Sequence, residues 1–91
     1  MFIKYIWGDY MKILIFGTGK YYQEYKVFFQ RVTIVAFLDN DKNKQGKRLD
    51  NILIIEPQEG IKKEHDKIFI LSIYFQEMKN QLISLGVDKK K

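Results

Sequence analysis

The 91-residue chain has no cysteine, one histidine and one proline. Without cysteine there is no disulfide framework, no thiolate metal site and no cysteine nucleophile. A single histidine removes any His-rich metal centre and leaves a Ser-His-Asp triad conceivable only around His65. His65 lies among Lys63, Glu64, Asp66 and Lys67, a polar turn in which a solvated ring is expected and a catalytic role is not. Long apolar runs are lacking too. No segment approaches the ~20 consecutive apolar residues of a membrane span, and Lys4 interrupts the apolar opening well short of a secretory h-region. A cytoplasmic chain without a membrane span is the expectation.

Charge of one sign is in modest excess. The formal net charge is +5, but Lys89, Lys90 and Lys91 account for three of it and leave +2 for the rest. The remaining basic cluster, Lys42, Lys44, Lys47 and Arg48, is interleaved with Asp39, Asp41 and Asp50 and reads as a solvated loop, so nucleic acid is not an expected partner. At 46% hydrophobic and 15% aromatic residues the composition is globular with an aromatic surplus. The length admits one domain with a thin stability margin. Residues 11–88 are expected to form it, preceded by an extension or extra edge strand over 1–10 and followed by a lysine tail over 89–91.

From Met11 onward, apolar runs of strand length alternate with stretches of helical period, which predicts an α/β domain. Residues 13–16, 32–38, 52–55 and 68–71 read as strands, the first a continuous apolar run suited to burial on both faces. Between the first two, Tyr21, Tyr25, Phe28 and Phe29 fall at i, i+4, i+7 and i+8, predicting one face of a helix over about 20–31. The polar stretch 42–51 reads as a surface loop. Pro57 suits the first turn of a short helix to about residue 63. Ser72 is placed to cap a last helix over 74–85, with Gly86 where a left-handed residue ends it. Right-handed crossovers then predict a Rossmann-like open parallel sheet of about four strands, order 3-2-1-4, with helices on both faces.

The chemistry-bearing element is Gly17-Thr18-Gly19, between an apolar strand and an amphipathic helix. One glycine permits the tight turn and the other lets backbone approach a phosphate held by helix N-terminal N–H groups. Asp39 follows about 20 residues later at the end of the second strand, where a carboxylate accepts from ribose hydroxyls. The candidate binding residues are therefore Gly17, Thr18, Gly19, Lys20, Tyr21, Asp39 and Ser72, with no catalytic and no metal-ligating residue among them. Tyr22 departs from the fingerprint, which wants Gly or Ala there; its ring is expected to push the helix outward or swing toward the phosphate crevice. Tyr22 and Lys26 also satisfy Y-x-x-x-K, the acid pair of short-chain dehydrogenases, but on the wrong helix for it.

The runs ILIFGTG, IVAFLDNDKNKQGKRLDNILIIEP, KIFILS and LGV, taken together, resemble the N-terminal Rossmann-like domain of bacterial surface-polysaccharide proteins. These are nucleoside-diphosphate-sugar epimerases and dehydratases and sugar O-acyltransferases. The resemblance implies a nucleotide sugar or NAD(P) as ligand, and a catalytic domain elsewhere. A fragment or remnant of a capsule-biosynthesis protein that binds a nucleotide or nucleotide sugar is the function expected, without a complete catalytic site. A ligand-free interaction module is the alternative: the apolar fourth strand would be an open edge, to be covered by Phe2 to Trp7 or by a second copy in a homodimer.

Overall fold

The computed structural model describes residues 11–88; the expected roles of 1–10 and 89–91, and the pairing of Phe2 to Trp7, lie outside them. The chain forms β1 (Lys12–Phe16), α1 (Lys20–Tyr25), a 3-10 turn (Lys26–Phe29), β2 (Thr33–Leu38), β3 (Arg48–Leu49), β4 (Ile52–Ile55), α2 (Pro57–Gly60), β5 (Lys67–Ile70) and α3 (Phe75–Ser84). The sheet order is β3-β4-β2-β1-β5. Pairs β1–β2, β1–β5 and β2–β4 are parallel, and β3–β4 is antiparallel.

This corrects the expected four-stranded parallel sheet of order 3-2-1-4. The domain is a small α/β fold with a mixed five-stranded sheet and few, short helices. The difference arises in residues 42–51, taken above for a plain loop. Asp50 and Asn51 adopt φ of 50° and 67°, the left-handed pair that turns a two-residue hairpin with the strand twist. Both have short polar side chains that tolerate that region. The turn folds Arg48–Leu49 back on Ile52 and Leu53, and Ile54 N–H donating to the Lys47 carbonyl at 2.8 Å extends the ladder. A two-residue strand rich in charge has no period for sequence reasoning to detect.

β1 is an interior strand between β2 and β5, fully buried from Ile13 to Phe16, with alternate residues facing opposite sides. Ile13 and Ile15 join Tyr22, Phe37 and Ile54 on one face. Leu14 and Phe16 join Ala36, Leu38 and Leu82 on the other. The helix expected over 20–31 is also corrected: α1 lasts six residues before the chain tightens to 3-10. Its buried residue is Tyr22, whereas Tyr25 and Phe28 are 45% and 75% exposed. The 3-10 turn has three residues per turn, so the 3.6-residue register that would carry the face from Tyr25 on to Phe28 does not survive it.

On the second face, α2 ends at Gly60 rather than near residue 63. Gly60 lies so close to the Leu38 side chain that a Cβ would collide with it. α3 starts after Tyr74, not Ser72, and ends in a Schellman turn. There Val87 N–H donates to the Leu82 carbonyl and Gly86 N–H to that of Ile83, each at 3.0 Å, with Gly86 at φ 100°. Val87 and Leu82 then pack in the same cluster.

Candidate functional site

The carboxyl ends of β1, β2 and β5 meet around a cleft of about 540 Å³. All seven residues singled out from sequence line it: Gly17, Thr18, Gly19, Lys20, Tyr21, Asp39 and Ser72. Sequence reasoning missed Lys44, Leu71, Ile73, Tyr74 and Met78, which complete its wall. A signal for Lys44 existed. Asp41 is a turn former three residues past β2, and the Lys44 and Gln45 N–H groups donate to its carbonyl at 2.9 and 3.2 Å, curling the chain back toward the strand ends.

The two glycines of the loop do different work. Gly17 has φ 125°, and a Cβ there would run into the Leu71 carbonyl oxygen, so glycine is what lets the end of β1 lie against the segment after β5. Its N–H donates to the Leu38 carbonyl at 3.0 Å, tying the turn to β2. A Cβ on Gly19 would meet no atom within 4 Å. The backbone there is open to the cleft. Gly19 caps α1 without a side-chain hydrogen bond, and no acidic residue lies in the first turn. A six-residue helix offers an anion its first N–H groups more than a long dipole.

Asp39 is firmly held. Thr18 Oγ1 donates to its Oδ2 at 2.6 Å, and Asp41 N–H donates to its Oδ1 at 2.8 Å. Lys44 Nζ stands 4.0 Å from Oδ2 and donates to Thr18 Oγ1 at 3.3 Å. A carboxylate has about four acceptor positions, so room remains for a ligand hydroxyl. Ser72 Oγ accepts from Tyr74 N–H at 3.0 Å, fixing the bend before α3 instead of capping the helix.

Of the two courses expected of it, Tyr22 does not swing into the crevice, whose lining lacks it. Its ring lies between α1 and the sheet, edge-on to Phe37 at 4.8 Å, and is 3% exposed. The hydroxyl donates to Asp50 Oδ2 at 2.7 Å. Burial, then the bond to Asp50 and its charge, push the phenol up to about 12. The same hydrogen bond holds the Asp50 carboxyl below its ordinary value, with Lys26 at 3.5 Å assisting. A Y-x-x-x-K acid needs the opposite shift, so Tyr22 and Lys26 are structural. His65 lines a different cavity, with Nδ1 donating to the Lys63 carbonyl at 2.7 Å. Among the described residues, no group of three or more His, Cys, Asp or Glu side chains is placed to hold a metal ion. No helix among them is long and apolar enough to cross a membrane.

Fold and cleft together define a small α/β domain with a glycine-loop crevice at its strand ends. The chain belongs to the C2185-like N-terminal domain family, whose model matches residues 9–91. No curated protein matches it.

Proposed function

We propose that the domain binds a nucleotide or nucleotide sugar in this cleft. The observation that carries the reading is the open backbone at Gly19, flanked by Lys20 and set beside the anchored carboxylate of Asp39. Phosphate oxygens would accept from the N–H groups of residues 18–21, ribose hydroxyls would donate to Asp39, and Ser72 would line the far wall. Tyr74 and Ile73, 59% and 69% exposed on that wall, offer an apolar surface to a base or sugar ring. NAD(P) is the other ligand that the resemblance implies. The resemblance to surface-polysaccharide proteins points to a nucleoside-diphosphate sugar, held here for chemistry performed by another unit.

Calorimetric titration with UDP-sugars, NAD and AMP tests the reading. Gly19→Val fills empty space, so the variant is expected to fold and to lose binding. Binding undiminished in that variant would overturn the site. A second reading, an association module, is favoured by one observation: β5 ends the sheet among the described residues, with Phe69 39% exposed. Light scattering over a range of concentrations should then show a dimer that Phe69→Lys dissociates, and a strict monomer excludes it.

A further inference from the structure

Two cationic side chains, Lys20 and Lys44, line the cleft against one anionic side chain, Asp39. The Asp39 charge is already engaged by Thr18 and by the Asp41 N–H. Lys44 is otherwise placed. Its contact with Asp39, at 4.0 Å, is longer than the pairs Lys12–Glu64, Lys26–Asp50 and Lys62–Glu59, which stand at 3.3 to 3.5 Å. Charge-assisted bonds close to about 2.7–2.9 Å, so the ammonium is not spent on the carboxylate.

Its position is nonetheless built rather than accidental. The loop that carries it is pinned at several points. Asn43 N–H donates to Asp41 Oδ1 at 2.9 Å, Gln45 Nε2 donates to the Asp39 carbonyl at 2.8 Å, and Gly46 N–H donates to the Ile54 carbonyl at 2.8 Å. Thr18 gives its proton to Asp39 and so turns a lone pair toward Lys44, and the 3.3 Å contact holds the ammonium at the rim of the glycine loop. With its side chain 47% exposed, the ammonium has donors left for a ligand.

We infer that Lys44 determines specificity, making the cleft select the phosphorylated form of its ligand over the unphosphorylated one. The inference rests on the nucleotide reading above and goes further, because a cleft defined by the glycine loop and Asp39 alone would also accept a nucleoside. The anion would displace the long Asp39 contact and take the ammonium and the Gly19 backbone together, while the Thr18 bond keeps the carboxylate in place for a hydroxyl. Lys47 is the control. It is an exposed cation of the same loop and does not line the cleft.

The experiment compares UDP with uridine, and AMP with adenosine, by calorimetry on the full chain, for the parent, Lys44→Met, Lys44→Arg and Lys47→Met. The parent should prefer each nucleotide to its nucleoside. Lys44→Met should lower nucleotide affinity roughly tenfold, the value of one charged hydrogen bond, and leave nucleoside affinity unchanged. Lys44→Arg should restore most of the preference, and the salt dependence of nucleotide binding should flatten in Lys44→Met alone. Equal binding of nucleotide and nucleoside by the parent, or a loss in Lys47→Met as large as that in Lys44→Met, overturns the assignment of Lys44 while the cleft stands as the binding site. Absence of binding by all four ligands overturns both.

Discussion

The two faces of the sheet are covered by different means. One carries α1 and the 3-10 turn, ten residues that contribute a single buried side chain, Tyr22. The other carries α2 and α3, where Pro57, Gly60 and Leu82 are buried and Met78, Ile61 and Val87 pack in behind them. A thin cover must fill its space with one large ring and then satisfy that ring's hydroxyl, which is why Asp50 stands at the hairpin turn. A thicker cover closes with aliphatic contacts and close approach. The helical cover of the first face therefore concentrates its full burial in one residue, and that of the second spreads it.

The largest test of that contrast is truncation. Tyr22→Ala should cost about 3–5 kcal/mol and Leu82→Ala about 2–4 kcal/mol, read as midpoint shifts in urea unfolding. Both are fully buried, so the ordering follows from ring volume and the lost Asp50 bond. A larger loss in Leu82→Ala would reverse the comparison. Next is Gly60→Ala. Alanine favours a helix by about 1 kcal/mol, yet its methyl group would meet Leu38 and Ile55, so a net loss of about 1–3 kcal/mol is expected. A gain would mean that the second face has slack.

Much of this was legible beforehand because it rests on strong periodic or steric signals. The buried run at 13–16, the glycine loop and the crevice residues from Gly17 to Ser72 follow from patterns that few local structures can satisfy. The β3–β4 hairpin and the face of α1 were not legible. The hairpin depends on two positive-φ residues inside a charged stretch, and charge hides a strand. The helix face depends on where 3-10 winding begins. Four aromatic residues at helical spacing outweighed Tyr22 in the pattern, while its hydroxyl partner lay 28 residues away. Lys44 was passed over as one of four basic residues in a loop, although the turn former Asp41 marked where the chain curls back.

The Tyr22–Asp50 bond gives the first face a pH signature that the second lacks. A phenol raised from 10.0 to about 12 makes the folded state hold its proton longer than the unfolded chain does. The stability so gained is complete below pH 10 and is lost as pH rises toward 12. The loss should be on the order of 2 kcal/mol. Asp50 shifts the other way, so its contribution is present above the ordinary carboxylate range and fades as acid protonates it. Tyr22→Phe should cost about 1 kcal/mol at neutral pH and abolish the alkaline loss assigned to this phenol. Unfolding curves from pH 8 to 12 that are parallel for parent and variant would show that the hydroxyl does not anchor the face.

The smallest effect separates neighbours within the thin cover. Phe28 is 75% exposed, whereas Phe29 is partly buried and meets Phe69 of β5 with ring centroids 5.3 Å apart, edge to face. Three residues per turn put the two rings on different sides of the 3-10 segment, and only one side touches the sheet. Phe29→Ser should therefore cost about 2 kcal/mol through lost aromatic and apolar contact. Phe28→Ser should stay within about 0.5 kcal/mol of the parent, as surface changes do. Denaturant midpoints for the two variants, measured side by side, check this. Comparable losses in both would mean that Phe28 packs somewhere in solution, and the first face would then have a further anchor besides Tyr22 and Phe29.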